Sequence, residues 1–84
     1  MPKPLRKTGA KNLIGKQVAE LRKAHGLSQR DLAHKLQLAG YDMDKNLITR
    51  IETGKRYVTD VELKTFAEFF HVSYEYLIDG PSNK

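Results

Sequence analysis

Lys45, Asn46, Thr49 and Arg50 stand around Ile48 and Ile51 in the stretch from Lys45 to Thr53. If that stretch is a helix with both isoleucines turned inward, the four polar side chains lie on or near its outer face. Such side chains can meet base edges: Arg and Lys donate to guanine acceptors, Asn pairs with adenine, and a Thr methyl packs on thymine. Lys55 and Arg56 follow immediately, where a loop would meet a sugar-phosphate backbone. By spacing alone, a solvated polar face fits the same pattern.

Other chemistries find less support. His25, His34 and His71 have no second His or Cys at i+3 or i+4, and the chain has no cysteine, so neither a thiolate zinc site nor a disulfide framework can form. No GxSxG, HExxH or phosphate-cradling glycine loop occurs. The expectation is therefore no catalytic residues, no metal, no cofactor and no enzyme activity. The 84 residues suffice for one domain, which would bury roughly 60–65% of its unfolded surface and leave little room for a catalytic chamber. No apolar run approaches the roughly 18 residues of a membrane span, and no apolar segment of secretory type follows the basic N-terminus, so a cytoplasmic location is the default.

Charge is distributed unevenly. Residues 1–58 carry 13 Lys/Arg against 5 Asp/Glu, and residues 59–84 carry 2 against 5. A polyanion met by the first two-thirds of the chain would explain the asymmetry, as would a basic solvated surface. Residues 1–11 hold Pro2, Pro4 and Gly9 among Lys3, Arg6, Lys7 and Lys11, which reads as a flexible basic arm. Arg6, Lys7 and Lys11 are candidate DNA contacts, with a frayed terminus as the alternative.

The elements that must position the polar row are helical. From Leu13 to His25, Ile14, Val18 and Leu21 share one helix face, with Asn12 as a cap and Gly26 as the stop. Four further helix starts repeat one frame of apolar residue, cap, and apolar residue four positions later: Leu27-Ser28 with Leu32, Met43-Asp44 with Ile48, Val58-Thr59 with Leu63, and Val72-Ser73 with Leu77. Ser28 with Asp31 and Thr59 with Glu62 also have capping-box spacing. The second helix, with Leu32, Ala33 and Leu36 inward, runs to Ala39 and stops at Gly40; Tyr41, Asp42 and Met43 connect it to the third, which ends at Gly54. The fourth turns Leu63, Phe66, Ala67 and Phe70 inward, His71 takes a left-handed end position, and the fifth stops at Gly80-Pro81. No segment alternates as a strand would. The expected organisation is an arm over 1–11, one all-α domain over 12–80 and a disordered tail over 81–84.

LRKAHGLSQRDLA (21–33), ITRIETGKR (48–56) and FAEFFHVSYEYLIDG (66–80) together resemble the lambda-type phage repressor and Cro family of helix-turn-helix proteins, over about residues 13–80. The resemblance implies a compact bundle of five helices whose third helix, 45–53, enters the major groove. It implies base reading by Lys45, Asn46, Thr49 and Arg50 and backbone contacts from Gln29, Lys55 and Arg56, with Gln29 also bracing the recognition helix. Arg22 and Glu52 match a structural ion pair. Two departures stand out: QLAGYDM makes the connection between helices 2 and 3 about five residues longer than usual, and Asp44 replaces the usual Ser or Thr cap. The family usually dimerises through its last two helices on paired half-sites. Phe69, Tyr74 and Tyr76 would supply such a patch, unless one or two of them pack against the core edge. The expected function is sequence-specific binding of double-stranded DNA by a small transcriptional regulator of the repressor kind, acting as a homodimer and carrying no effector domain of its own. The alternative is a protein-interaction module, such as an antitoxin or anti-regulator, gripping a partner protein through the same scaffold.

Overall fold

The computed structural model describes residues 11–80. Among these residues there are five helices and no strand: α1 Gly15–Ala24, α2 Gln29–Leu38, α3 Lys45–Glu52, α4 Asp60–Phe70 and α5 Tyr74–Asp79. The arm residues Arg6 and Lys7 and the tail 81–84 lie outside the described residues.

Capping chemistry sets the helix starts. Ser28 Oγ accepts from the Asp31 N–H at 2.9 Å while Asp31 accepts from the Ser28 N–H at 3.1 Å. Thr59 and Glu62 make the same reciprocal pair at 3.1 Å each way. Asp44 and Ser73 accept from the N–H groups of Leu47 and Tyr76 at 2.8 and 3.0 Å. Each cap contributes about 1 kcal/mol by satisfying an N–H that the helix cannot.

The first helix departs from expectation. It begins at Gly15, two residues after Leu13, because the Asn12 side chain folds forward and accepts from the N–H groups of Ile14 and Gly15 at 3.1 and 2.7 Å. Leu13 therefore stays outside the helix and exposed. At the other end Gly26 takes φ 69°, and the Leu27 N–H closes on the Arg22 carbonyl at 3.0 Å. His71 ends α4 at φ 57° and ψ 46°, the left-handed position expected of it.

All five helices meet over one core of Ile14, Val18, Leu21, Leu32, Ala33, Leu36, Met43, Ile48, Ile51, Phe66, Ala67, Phe70 and Leu77. Leu63 is only partly buried, and Thr65 is buried beside Phe66 with its hydroxyl donating to the Val61 carbonyl at 2.9 Å. That local bond satisfies the hydroxyl and lets α4 bury a threonine.

The long connection is built into the fold. The Tyr41 N–H donates to the Leu36 carbonyl at 2.9 Å across Gly40 at φ 97°, Met43 is buried, and Gln37 Nε2 donates to the Met43 carbonyl at 3.0 Å. The Tyr41 hydroxyl reaches Glu68 Oε1 on α4 at 3.3 Å. Gln37 and Tyr41 thus tie the connection back to α2 and across to α4.

Candidate nucleic-acid interface

Ile48 and Ile51 are fully buried, which fixes the roll of α3 and leaves Lys45, Asn46 and Arg50 exposed on the opposite side. The three form one row of donors and acceptors. At the helix end Gly54 takes φ 73° and the Lys55 N–H closes on the Arg50 carbonyl at 2.8 Å, so Lys55 projects just beyond the row and is exposed.

Behind the row runs a polar network with little solvent contact. Arg22 Nε donates to Glu52 Oε2 at 2.7 Å and Arg22 Nη2 to Glu52 Oε1 at 3.1 Å, with side-chain exposures of 12% and 6%. Arg22 Nη1 donates to the Leu27 carbonyl at 2.8 Å, and Gln29 Nε2 donates to Glu52 Oε1 at 2.9 Å. Because a carboxylate only accepts, the Gln29 amide must present its oxygen to α3, where the Thr49 hydroxyl donates to it at 2.8 Å. The hydrogen bond to Glu52 raises the Arg22 pKa; burial opposes this, and the charge of Glu52 adds to it. Three helices are joined here: Arg22 from α1, Gln29 from α2, and Thr49 with Glu52 from α3.

Four sequence-predicted residues acquire more defined settings. Thr49 is half-buried, and its hydroxyl lies between Gln29 and the Lys45 carbonyl, 2.9 Å away, so its hydrogen is used inside the protein. Gln29 braces α3 through that bond. Arg56, expected at phosphate, pairs through Nη2 with Glu62, the capping-box residue of α4, and its side chain stays 29% exposed. Lys11 is exposed; its N–H donates to the Gly54 carbonyl at 2.8 Å and its ammonium lies 5.6 Å from the Tyr57 ring centroid.

The aromatic surplus divides. Phe69 packs edge-on against Phe70 at 5.1 Å, and Phe69 and Tyr76 are both partly buried against the core, whereas Tyr74 is 49% exposed. Val61 and Tyr74 line one shallow hollow together with Leu63.

Two residues escaped the sequence reading beyond local capping. Asn12 Nδ2 donates to the carbonyls of Ile51 and Arg56 at 3.1 and 2.8 Å, and a Cβ on Gly15 would stand 2.2 Å from the Ile51 carbonyl oxygen. The available signal was a glycine at a helix start, where alanine would favour the helix by about 1 kcal/mol; such a glycine marks close backbone approach.

A helix-turn-helix family profile matches residues 18–77. The crystal structure of the DNA-binding domain of BldD aligns over 87% of this chain and 99% of its own, with a TM-score of 0.71 and 23% identity, and so shares the fold. No curated protein matches the sequence significantly. With the matched segment spanning α2, α3 and the α1 partner that holds them, the chain belongs to the lambda repressor/Cro type of helix-turn-helix proteins, a family of DNA-binding transcriptional regulators.

Proposed function

We propose that this protein binds double-stranded DNA sequence-specifically, as a regulator of the repressor kind, by laying α3 in the major groove. Lys45, Asn46 and Arg50 face base edges, the Thr49 methyl contributes apolar contact, and Lys55 meets the phosphate backbone beside the groove. The observation that carries this reading is the combination in α3: three exposed base-competent side chains on a helix held by Gln29 at Thr49 and by Gln29 and Arg22 at Glu52. Fixing the backbone that carries the readers before binding lowers the entropic cost of docking. Repression follows where a bound site overlaps that of the transcription machinery.

Selection of bound sites from random duplexes, followed by titration of the enriched sequence, tests the proposal. Lys45→Ala and Arg50→Ala should each weaken specific binding by about 1–3 kcal/mol without unfolding the domain. Neutralising about six to ten phosphates would make affinity fall by roughly 10³–10⁵ between 50 and 200 mM salt. Failure to enrich any sequence, or affinity indifferent to both substitutions, would overturn it.

We assign homodimerisation to the face carrying Tyr74 and Val61, exposed by 49% and 69%. A palindrome in the selected sites and a dimer in sedimentation that Tyr74→Ser weakens would support this assignment. The same exposed face fits the second reading, an antitoxin or anti-regulator, and a specific protein partner displaced by Tyr74→Ser with DNA binding intact would favour it.

A further inference from the structure

We infer that Asn12, working with Gly15, is a positioning residue that sets the pitch of the recognition helix. This inference rests on the DNA-binding reading and concerns how that reading is made selective. Asn12 lies well before α3 in sequence, yet its side chain spends every hydrogen-bonding group on one junction. Its oxygen accepts from the Ile14 and Gly15 N–H groups at the start of α1, and its Nδ2 donates to the Ile51 and Arg56 carbonyls at the end of α3 and in the loop beyond. The Lys11 N–H adds a third bond to the same end, at the Gly54 carbonyl.

Gly15 permits the junction. Its α-carbon sits so close to the Ile51 and Glu52 carbonyls that a Cβ would stand 2.2 and 3.2 Å from their oxygens. The N-terminus of α1, with its positive dipole end, therefore abuts carbonyls at the negative C-terminal end of α3, and Asn12 supplies one donor to that end, at Ile51, and a second to the loop beyond, at Arg56.

Geometry turns this local clamp into a property of the reading face. The lock grips α3 at its last turn, whereas Lys45 and Asn46 stand at its first. The helix has eight residues and is about 12 Å long at 1.5 Å per residue, so a tilt of about 5° at the clamped end moves Lys45 by about 1 Å. A displacement of that size spoils bidentate base geometry while leaving phosphate contacts, which tolerate looser geometry, largely in place. The Arg22–Glu52–Gln29 network holds the last residue of α3 through its side chain, Gln29 reaches back to Thr49, and Asn12 holds the backbone of the same last turn.

Asn12→Ser and Asn12→Asp separate this role from helix capping, since both keep an oxygen acceptor for α1 and both lose the Nδ2 donor. Full-length wild type and the two variants are titrated on the selected operator and on an unrelated duplex, well below each melting midpoint. Both variants should lose about tenfold in specific affinity, with the ratio of specific to non-specific affinity falling in parallel. An unchanged ratio in the folded variants, whether or not both affinities fall together, would overturn the positioning role. Wild type that discriminates no duplex would sink the DNA-binding reading itself, an outcome distinct from wild type that discriminates and variants that match it.

Discussion

Replacing Glu52 with Ala would test whether α3 is held by the charge network. The carboxylate accepts two bonds from Arg22 and one from Gln29, and its side chain is 6% exposed. Truncation strands the Arg22 guanidinium at 12% exposure, with the Leu27 carbonyl as its remaining acceptor in this network. Breaking a buried pair by removing one member costs about 3–5 kcal/mol. The bond that Arg22 retains places Glu52→Ala near the lower end, about 3 kcal/mol. A domain of 84 residues is stable by about 4–13 kcal/mol, so this loss is a large fraction of the total. Urea denaturation is the suitable assay because urea adds no ionic strength to screen the pair. At a slope of about 1–1.5 kcal/mol per molar, the midpoint should fall by about 2–3 M. Glu52→Gln keeps an acceptor and loses the charge, and should fall between wild type and Glu52→Ala. Arg22→Met combined with Glu52→Met should cost less than the two single changes added together, since neither partner is left stranded. A loss below about 1 kcal/mol for Glu52→Ala, or strict additivity in the cycle, would refute the argument that this network holds α3.

Gly15→Ala should destabilise the domain by about 1–3 kcal/mol despite the better helix propensity of alanine, because the new methyl meets backbone oxygen. A thermal midpoint equal to or above wild type would contradict the close approach of α1 to α3. Asp31 predicts a pH effect: the Ser28 N–H, then the Ser28 hydroxyl, hold its carboxyl below its ordinary value, with lesser help from the charges of Lys35 and His34. A depressed folded pKa stabilises above the unfolded value, near pH 4, and the gain is lost as pH falls through the lower folded value. Wild type should therefore lead Asp31→Asn in urea midpoint above about pH 5, and the lead should narrow steadily as the pH is taken below 4. A difference that stays constant across that range would exclude the ionised capping box as its source.

What the sequence made legible was mostly local. Caps, staples and left-handed helix ends are decided within about five residues, and Ser28, Asp44, Thr59, Ser73 and His71 occupy the positions their types imply. The exposed row on α3 was legible for the same reason, since Ile48 and Ile51 fix the helix roll by themselves. Contacts between distant segments were not. Nothing in helical spacing joins Arg56 to Glu62 across the loop before α4, so the ion pair between a cation after α3 and a capping residue was not legible. Thr49 shows a subtler limit: its side of the helix was readable, but the direction of its hydroxyl depends on Gln29 oxygen, whose orientation is set by Glu52.

Those long-range bonds decide the shape and aim of α3. A helix of eight residues is too short to be stable alone, so its shape and aim must be imposed by neighbours. Apolar burial of Ile48 and Ile51 fixes its roll but tolerates sliding and tilting, because dispersion contacts are weakly directional. Directional bonds remove that freedom: Gln29 acts on the flank at Thr49, Arg22 and Gln29 on the Glu52 side chain at the C-terminal end, Asn12 and the Lys11 N–H on the backbone there, and Asp44 on the first turn. Under the proposed major-groove reading, the exposed side chains of Lys45, Asn46 and Arg50 would then order only their own rotamers on meeting base edges. If α3 reads DNA as proposed, discrimination between sequences depends on the residues that aim the helix as much as on those that meet the bases, and substitutions at Asn12, Gln29 and Glu52 should lower the ratio of specific to non-specific affinity before they abolish binding.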